Sequence, residues 1–254
     1  MTEEILLTGG RLTSGVVRVG DTVRRPHTAS SGFVGQLLRR TRARGFVEAP
    51  EYLGCDEHNR DVFRYIPGDV PPKFRRFEDG QLITAVRLLR RFHEATRESE
   101  LAGACSVVCH NDPGPNNFVF QQSQPVALID FDFAAPGKPP SDVGYMAWTW
   151  CVSSRPDRQP VSEQAAQVRC LLDAYGLSHE ERAGIVDAMI MRQTRNIEFW
   201  TERRRAGASP GAEKIDEIIE WSRHERSFTE SHRAVFTAAA AQTVPAAHRT
   251  NQTR

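Results

Sequence analysis

Lysine is scarce in this chain of 254 residues, which contains only Lys73, Lys138 and Lys214. The rest of its 33 basic residues are arginine, and 32 acidic residues bring the formal net charge to +1. A composition this balanced creates no large field of one sign. It therefore argues against a nucleic acid or a membrane surface as the partner.

The chain also lacks long apolar runs and paired cysteines. Its first residues, Met1-Thr2-Glu3-Glu4, do not have the pattern of a signal peptide, and no apolar run reaches membrane-spanning length. The cysteines are odd in number and form no Cys-x-x-Cys pair, which indicates reduced thiols. We therefore expect a cytoplasmic protein, long enough to bury one core or two lobes around a cleft. The cysteines are Cys55, Cys105, Cys109, Cys151 and Cys170.

The most informative stretch is 110–117, His-Asn-Asp-Pro-Gly-Pro-Asn-Asn, together with Ile-Asp-Phe-Asp at 129–132. Asn117 follows Asp112 by five residues, and Asp130 follows Asp112 by eighteen. Phosphoryl transfer requires a base that orients the attacking hydroxyl and oxygen ligands that hold Mg²⁺ against nucleotide phosphates. Two carboxylates and a carboxamide at these positions can meet both requirements.

Two apolar runs flank this set, at 107–109 before it and at 126–129 after it. Such runs are typical of short strands, which would hold the loop between them. The alternative interpretation is an ordinary turn, because Asn, Asp, Pro and Gly all favour turns. A chance turn does not explain a histidine two residues before Asp112 or an Ile-Asp pair at the next strand.

The pattern His-x-Asp-(x)4-Asn followed by Ile-Asp resembles the catalytic loop and metal-binding aspartate of the aminoglycoside phosphotransferase-like kinases. That family shares its fold with the eukaryotic-type protein kinases. The resemblance implies that Asp112 is the catalytic aspartate and that Asn117 and Asp130 are magnesium ligands. It further implies that His110 buttresses the loop and that Asp142 closes the short loop after the metal aspartate.

The same resemblance implies an α+β, bilobal protein-kinase-like fold, with a small β-rich N-lobe and a larger, mainly helical C-lobe. We place the boundary at Pro67-Gly68, which gives an N-lobe at 1–67 with one helix and a C-lobe at 68–254. Few large apolar residues occur in 238–254, so this tail is expected to fray.

Local patterns in the N-lobe predict its elements. Residues 16–19 and 22–25 flank Gly20-Asp21, which indicates a hairpin with a two-residue turn. Ser31 can cap a helix that Gly45 ends. Further strands are predicted at 46–47, 51–54 and 61–66.

Helical periodicity governs the C-lobe. It predicts a helix from Asp79 to about Ser99, helices over 145–152 and 162–175, and a last helix around 215–219. Ser178 and Glu181 form a capping box for one long helix that continues through Ile197.

The N-lobe is expected to hold ATP or another nucleoside triphosphate. The loop 8–15 contains Gly10 and Gly15, which let backbone N–H groups approach phosphates, although an ordinary hairpin turn has the same composition. Alternation along the hairpin places Val16, Val23 and Arg25 on one face.

That face suits two apolar contacts to adenine and one cation for the phosphates, so Arg25 is the candidate phosphate anchor. Arg24 then points to the opposite face, and solvated strand arginines are the alternative interpretation. Tyr65 and Ile66 belong to the predicted hinge, whose backbone would face adenine.

In two respects the sequence departs from the family. No lysine precedes Lys73, so the usual lysine of the third strand is absent. The usual glutamate on the following helix is absent too, because 31–45 contain no acid. Gln36 could replace that glutamate, but periodicity does not bury it. Arginine is larger than lysine and not interchangeable with it.

These features predict an ATP- and Mg²⁺-dependent O-phosphotransferase acting on a hydroxyl of a small molecule. The loop between Asp130 and Asp142 is too short for the activation segment of a protein kinase. Acids on the C-terminal helices could bind a polycationic aminoglycoside, or they could be a solvated helix face, which is the commoner case. These acids are Asp173, Glu180, Glu181, Asp187, Glu198, Glu202, Asp216, Glu217 and Glu220.

Two other functions are compatible with the missing lysine and glutamate. One is a nucleotide-binding pseudokinase that acts through protein interaction. The other is a scaffold that binds no nucleotide.

Overall fold

The computed structural model describes residues 3–7, 15–72 and 75–242. Its N-lobe is one antiparallel sheet of five strands in the order β1-β2-β3-β5-β4, with a single helix, α1, packed beside it. The strands are β1 Glu4–Leu6, β2 Val17–Val19, β3 Thr22–Pro26, β4 Tyr52–Cys55 and β5 Arg60–Arg64, and the helix is α1 Ser31–Ala43.

The predicted β2–β3 hairpin is confirmed. Val19 pairs with Thr22 across a turn in which Gly20 has a φ of +60°. The next strand pair fixes a more distant relationship, because Arg25 on β3 lies directly opposite Asp61 on β5. Directly opposed residues of an antiparallel pair point to the same face of the sheet.

Helix α1 differs from the prediction at its first turn. Ser31 is the first helical residue and not the cap, and its hydroxyl donates a hydrogen bond to Asp61. Val34, Leu37, Leu38 and Thr41 are buried at helical spacing, and Gly45 follows the helix with a φ of +85°. The strand predicted at 46–47 does not form.

The segment after β5 joins the two lobes. Asp69 exchanges two backbone hydrogen bonds with Phe120, at 2.9 and 2.8 Å. Gly68 has a φ of +139°, and a Cβ on it would lie 2.4 Å from the Phe120 carbonyl oxygen. Only glycine fits such a close backbone approach. The boundary at Pro67-Gly68 remains a prediction, although the five-stranded sheet ends at Arg64.

The C-lobe consists of helices and two small antiparallel strand pairs, β6–β9 and β7–β8. Its strands are β6 Val107–Cys109, β7 Phe118–Gln121, β8 Gln124–Leu128 and β9 Ala135–Gly137. Its helices are α2 Asp79–Thr96, α3 Pro139–Met146, α4 Val161–Tyr175, α5 His179–Ala183, α6 Ile185–Arg205, α7 Ala212–Ser231 and α8 Arg233–Ala241. Short helical turns occur at Glu100–Ala102 and Pro115–Asn117, and a π-helix at Ala147–Cys151 extends α3.

Several C-lobe predictions need correction. The helix predicted over 145–152 already begins at Pro139, and the helix predicted around 215–219 is not the last, because α8 follows it. The capping box of Ser178 and Glu181 forms, but it caps the short helix α5, and a new helix, α6, begins after Gly184. The tail does not fray from residue 238, because α8 continues to Ala241 and buries Ala240. Residues 243–254 of the predicted tail lie outside the described part of the chain.

One apolar core extends through both lobes. It includes Leu37 of α1, Leu89 and Phe92 of α2, Phe118 of β7 and Leu171 of α4. The shared core fixes the N-lobe sheet against the C-lobe loops, which carry the candidate site. Within residues 3–7, 15–72 and 75–242, none of the helices combines the length and apolar character needed to cross a bilayer.

Candidate active site

The loop between β6 and β7 carries Asp112 and Asn117 as a hydrogen-bonded pair. The Asn117 amide nitrogen donates to the Asp112 carboxylate and to its backbone carbonyl, both at 2.8 Å. The Tyr145 hydroxyl donates to the other Asp112 oxygen. Asp112 is half-buried, and Asn117 is buried at 4% exposure. The carboxylate is therefore held in one orientation while part of it remains accessible.

His110 is fully buried and links the loop to the next strand. Its Nδ1 accepts a hydrogen bond from the Asp112 backbone N–H at 3.2 Å, and its Nε2 donates to the Ile129 carbonyl at 3.0 Å. Burial lowers the pKa of His110, against the opposing effect of the Asp142 carboxylate. A neutral imidazole with its proton on Nε2 satisfies both contacts. This geometry fits the expected buttressing role, which stays a proposal.

Asp142, at the start of α3, holds the beginning of the same loop. Its carboxylate accepts the backbone N–H groups of His110 at 2.6 Å and Asn111 at 2.9 Å, and His93 Nε2 at 3.0 Å. Burial raises the pKa of Asp142, but the His93 hydrogen bond and nearby positive charge outweigh burial and leave the pKa below its usual value. Asp142 is thus an ionised, buried anchor.

Sequence reasoning missed two aromatic supports of the loop, Tyr145 and Trp150. The Trp150 indole donates to the Pro113 carbonyl at 3.0 Å, and its ring packs against Phe77 and Phe118. Both residues belong to the helical segment after Asp142. Because both residues are far from Asp112 in the sequence, no local pattern indicates these contacts.

Asp130 lies just after β8, with a left-handed φ of +66°; Asn111 in the facing loop has a φ of +64°. Such backbone is uncommon outside glycine and concentrates at functional sites. Solvent reaches the Asp130 side chain, yet the surrounding protein removes much of its hydration. This desolvation and the Asp132 and Asp112 carboxylates raise the pKa of Asp130 to about 6.

The donor set suits a hard divalent cation. Magnesium prefers oxygen ligands and is usually held by one or two carboxylates together with substrate phosphates. Desolvation, and then the Asp132 and Asp112 carboxylates, raise the pKa of Asp130, and a bound cation would favour its charged form. Asn117 adds a carboxamide oxygen. Asn117 and Asp130 therefore fit the predicted role of magnesium ligands.

On the N-lobe side, Arg25 of β3 reaches the segment after β8. Its Nη2 lies 2.6 Å from Asp132 Oδ1, its Nε lies 3.8 Å from Asp61 Oδ2, and its guanidinium lies 5.1 Å from the centroid of the Phe63 ring. Arg24 points to the opposite face and pairs with Asp56 at 3.3 Å. Residues 31–45 contain no acid to pair with Arg25, as the sequence indicates, but two acids from elsewhere lie beside it, Asp132 after β8 and Asp61 on the neighbouring strand β5.

Val23 and Val16 are the other strand residues predicted to contact the nucleotide. Val23 shares the Arg25 face by strand alternation, and Val16 lies just before β2, where its carbonyl accepts the Leu7 N–H at 2.9 Å. Arg18, which sequence reasoning overlooked, has its guanidinium 3.9 Å from the centroid of the Tyr65 ring.

At the hinge, the Tyr65 N–H donates to the Asp21 carbonyl at 2.8 Å. This N–H is therefore engaged within the protein. The prediction that the hinge backbone is free to face adenine does not hold for this group. Ile66 is half-buried beside it. Gly15 is exposed with a φ of +77°, whereas Gly10 lies outside the described residues.

Helix α6 closes the opposite side of the catalytic loop. The Arg192 guanidinium donates to the Asn111 carbonyl and lies 5.0 Å from the centroid of the Tyr145 ring. Gly144 permits this approach, because a Cβ there would lie 2.8 Å from the Ala188 side chain. Phe133 packs edge-on against Phe199 beside it. This side of the cleft is aromatic and cationic.

Many acids of the C-terminal helices are engaged elsewhere, which favours the solvated-face interpretation. Glu181 caps α5, and four others form ion pairs with basic neighbours. The pairs are Asp173–Arg182, Asp187–Arg233, Asp216–Arg204 and Glu217–Lys214.

Comparison with known proteins agrees with this geometry. The family model described as "Phosphotransferase enzyme family" matches residues 100–183, which contain the catalytic loop. The chain is also 31% identical, over 266 residues, to the trifolitoxin immunity protein of Rhizobium leguminosarum bv. trifolii, covering 95% of this chain and 100% of that protein. The protein belongs to the aminoglycoside phosphotransferase-like family.

Solved structures confirm the predicted fold of this family member. A choline/ethanolamine kinase family protein from Mesorhizobium loti superposes with a TM-score of 0.61 at 17% identity, covering 95% of this chain and 92% of that chain. An aminoglycoside phosphotransferase from Alicyclobacillus acidocaldarius superposes with a TM-score of 0.55 at 13% identity, covering 90% and 91%. The α+β bilobal, kinase-like architecture is therefore established.

The loop between β6 and β7 brings together the residues that the resemblance predicts for catalysis, whereas the N-lobe departs from the expected pattern. Arg25 stands on β3, where the resemblance leads one to expect a lysine. The roles of Asp112, Asn117, Asp130 and Arg25 remain predictions, whose geometry is now defined.

Proposed function

We propose that this protein is an ATP- and Mg²⁺-dependent O-phosphotransferase that phosphorylates a hydroxyl of a small molecule. The observation that carries the proposal is the position of Asp112. Its carboxylate is oriented by Asn117 and Tyr145 and stands in a cluster of acids that faces the Arg25 guanidinium. Membership of a phosphotransferase family supports the same chemistry.

In this mechanism, Asp112 orients the acceptor hydroxyl and accepts its proton as the hydroxyl oxygen bonds to the γ-phosphorus. The bond from that phosphorus to the bridging oxygen breaks, and the nucleoside diphosphate leaves with the electron pair. Mg²⁺, when held by Asn117 and Asp130, supplies charge neutralisation at the phosphates. Arg25 binds the phosphates from the N-lobe. Positioning and electrostatics supply most of the rate gain.

The acceptor binds beside the catalytic loop, against Arg192, Tyr145 and the Phe133–Phe199 pair. A cationic and aromatic surface of this kind suits a neutral or anionic hydroxyl compound better than a polycation. We therefore expect an aminoglycoside to be a poorer acceptor than an uncharged or acidic antibiotic. The similarity to a trifolitoxin immunity protein suggests that the acceptor is a toxic compound that phosphorylation inactivates.

The experiment is an acceptor screen with purified protein and Mg-ATP, in which ADP release and product mass are followed together. Aminoglycosides, amino alcohols, sugars and hydroxyl-bearing peptide antibiotics form the panel. We expect one class to give ADP release and a product heavier by one phosphoryl group. A panel without any product, in a protein that binds Mg-ATP, would instead support the pseudokinase.

The pseudokinase is the second candidate, favoured by the absence of a lysine before Lys73. Such a protein would confer immunity by binding a toxin or another protein. The two candidates differ in the expected effect of Asp112→Asn. This variant would leave the biological effect of the pseudokinase unchanged.

A further inference from the structure

We propose that Asp61 is the positioning residue for Arg25. The ion pair of the N-lobe then joins two strands, β3 and β5, and not a strand and helix α1. This inference rests on the proposed function, in which Arg25 binds nucleotide phosphate. It names a residue outside the catalytic loop that the activity depends on.

The strand register brings the two residues together. Arg25 and Asp61 are directly opposed on β3 and β5, and Arg25 Nε lies 3.8 Å from Asp61 Oδ2. Phe63 is two residues from Asp61 on the same face, and its ring lies beneath the guanidinium at 5.1 Å. One neighbouring strand thus places both a carboxylate and an aromatic ring beside the Arg25 guanidinium.

Asp61 carries a full negative charge although its side chain is completely buried. Burial raises the pKa of Asp61, but hydrogen bonds from Ser31, His27 and Tyr52 outweigh burial and leave the pKa below its usual value. Ser31 donates to one carboxylate oxygen, and His27 and Tyr52 contact the other at 2.9 and 3.2 Å. Two basic side chains lie beside this carboxylate, His27 at 2.9 Å and the Arg25 guanidinium at 3.8 Å.

A metal ion is a weaker explanation for this cluster. His27, Cys55 and Asp61 offer a nitrogen, a sulfur and an oxygen that lie close together. In a tetrahedral zinc site, however, a nitrogen and an oxygen ligand lie about 3.4 Å apart. The observed separation of His27 Nδ1 and Asp61 Oδ1 is 2.9 Å, which is a hydrogen-bond distance.

The two carboxylates around Arg25 contact different parts of its guanidinium. Asp61 lies nearest Nε, at the base of the group, whereas Asp132 contacts the terminal Nη2 at 2.6 Å. A nucleotide phosphate can replace Asp132 at the tip while Asp61 continues to hold the base. Arginine suits this division, because its planar fork presents several fixed donors.

The test is a double-mutant cycle on the affinity for Mg-ATP, measured by calorimetry with Asp61→Asn, Arg25→Gln and the double variant. We expect Asp61→Asn to raise Kd about tenfold or more. In the Arg25→Gln background, Asp61→Asn should have no further effect on Kd. A residue with a merely structural role would lower the melting temperature without this coupling.

The matched control is Asp56→Asn, since Asp56 pairs with Arg24 on the opposite face of the same sheet. This variant should leave Kd unchanged. Should Asp61→Asn not fold, Asp61→Ser is used, because its smaller side chain leaves room for a water to meet the Ser31 and Tyr52 donors. Equal Kd values for the Asp61 variant and the Asp56 control, or independent effects of the Asp61 and Arg25 variants, would overturn the inference. Wild-type protein that does not bind Mg-ATP would instead refute the proposed function.

Discussion

Asn117 donates its amide to the Asp112 carboxylate at 2.8 Å, so the predicted metal ligand also orients the predicted base. The nitrogen of the carboxamide is used in this bond. Its oxygen accepts the Asn116 amide at 3.0 Å and has a second lone pair that could bind a cation. In the proposed mechanism, one side chain would therefore link the base to the metal site. Both residues stand on one short loop between β6 and β7.

Removing the base should slow turnover strongly and spare binding of the nucleotide. General bases contribute about 10² to 10⁴-fold in rate, so Asp112→Asn should lower kcat by a factor in that range. Asn117 and Tyr145 can still hydrogen-bond to the new amide, so the fold should persist. Kinetics and Mg-ATP calorimetry on the same preparation check this, with Asp157→Asn as an exposed control. Turnover close to that of the wild type would remove Asp112 from the mechanism.

Asp130→Asn should make the metal-free protein more stable, because it removes one of three mutually repelling carboxylates. The folded pKa of Asp130 is about 6, above its usual 3.8, so its ionisation lowers stability progressively as the pH rises from 3.8, and the full penalty is reached above about 6. The gain in melting temperature over the wild type should therefore be small near pH 4 and largest above pH 6.

The same variant should lose the stabilisation that Mg-ATP gives to the wild type, since a ligand that binds only the folded state raises its melting temperature. Thermal shifts across pH, with and without Mg-ATP, measure both effects. A variant that is less stable than the wild type without metal and is still stabilised by Mg-ATP contradicts the assignment.

Asp142→Ala should be among the most destabilising changes at the site. It leaves three buried donors, from His93, His110 and Asn111, without an acceptor. We expect a loss of about 3–5 kcal/mol in the free energy of unfolding, measured with urea. Asp187→Ala, which breaks an exposed ion pair with Arg233, should change it by less than about 1 kcal/mol.

The pH dependence of that loss has a definite sign. The folded pKa of Asp142 lies below its usual value of 3.8, so its contribution is fully present at neutral pH and is lost as the pH falls through the folded pKa. The difference between wild type and variant should therefore shrink in acid below about pH 4. A difference independent of pH would show that the carboxylate charge is not the cause.

Trp150→Phe tests the hydrogen bond from the Trp150 indole to the Pro113 carbonyl, which supports the loop between β6 and β7. It leaves the buried Pro113 carbonyl without its donor, while most of the contacts to Phe77 and Phe118 remain. The expected loss is about 1–3 kcal/mol in unfolding free energy. We also expect a fall in kcat with little change in KM for ATP. Unchanged kcat would mean that the loop holds its shape without this bond.

Much of the C-lobe could be predicted because its signals are local. Helical periodicity located α2 and α4 within a few residues, and the loop from His110 to Asn117 indicated its chemistry by residue type and spacing. Gly184 was missed as a break between α5 and α6, since a single glycine within a periodic pattern is often tolerated.

The nucleotide side of the site was harder to predict, because the residues that contact one another there are distant in sequence. Asp61 could be matched to Arg25 only after β3 and β5 were known to be neighbours, and α1 and β4 lie between them in the chain. Arg18 could have been found, because strand alternation places it on the same face as Val16. Tyr145 reaches Asp112 only through the packing of α3 against the loop.

The central claim is that Asp112 catalyses phosphoryl transfer from Mg-ATP to a hydroxyl. The most direct measurement is ADP release and product mass across the acceptor panel, with wild-type protein and Asp112→Asn assayed in parallel. We expect a phosphorylated product from the wild type, absent without Mg²⁺ and reduced at least about a hundredfold in the variant. Equal product from both proteins, or no binding of Mg-ATP by the wild type at millimolar concentration, would contradict it.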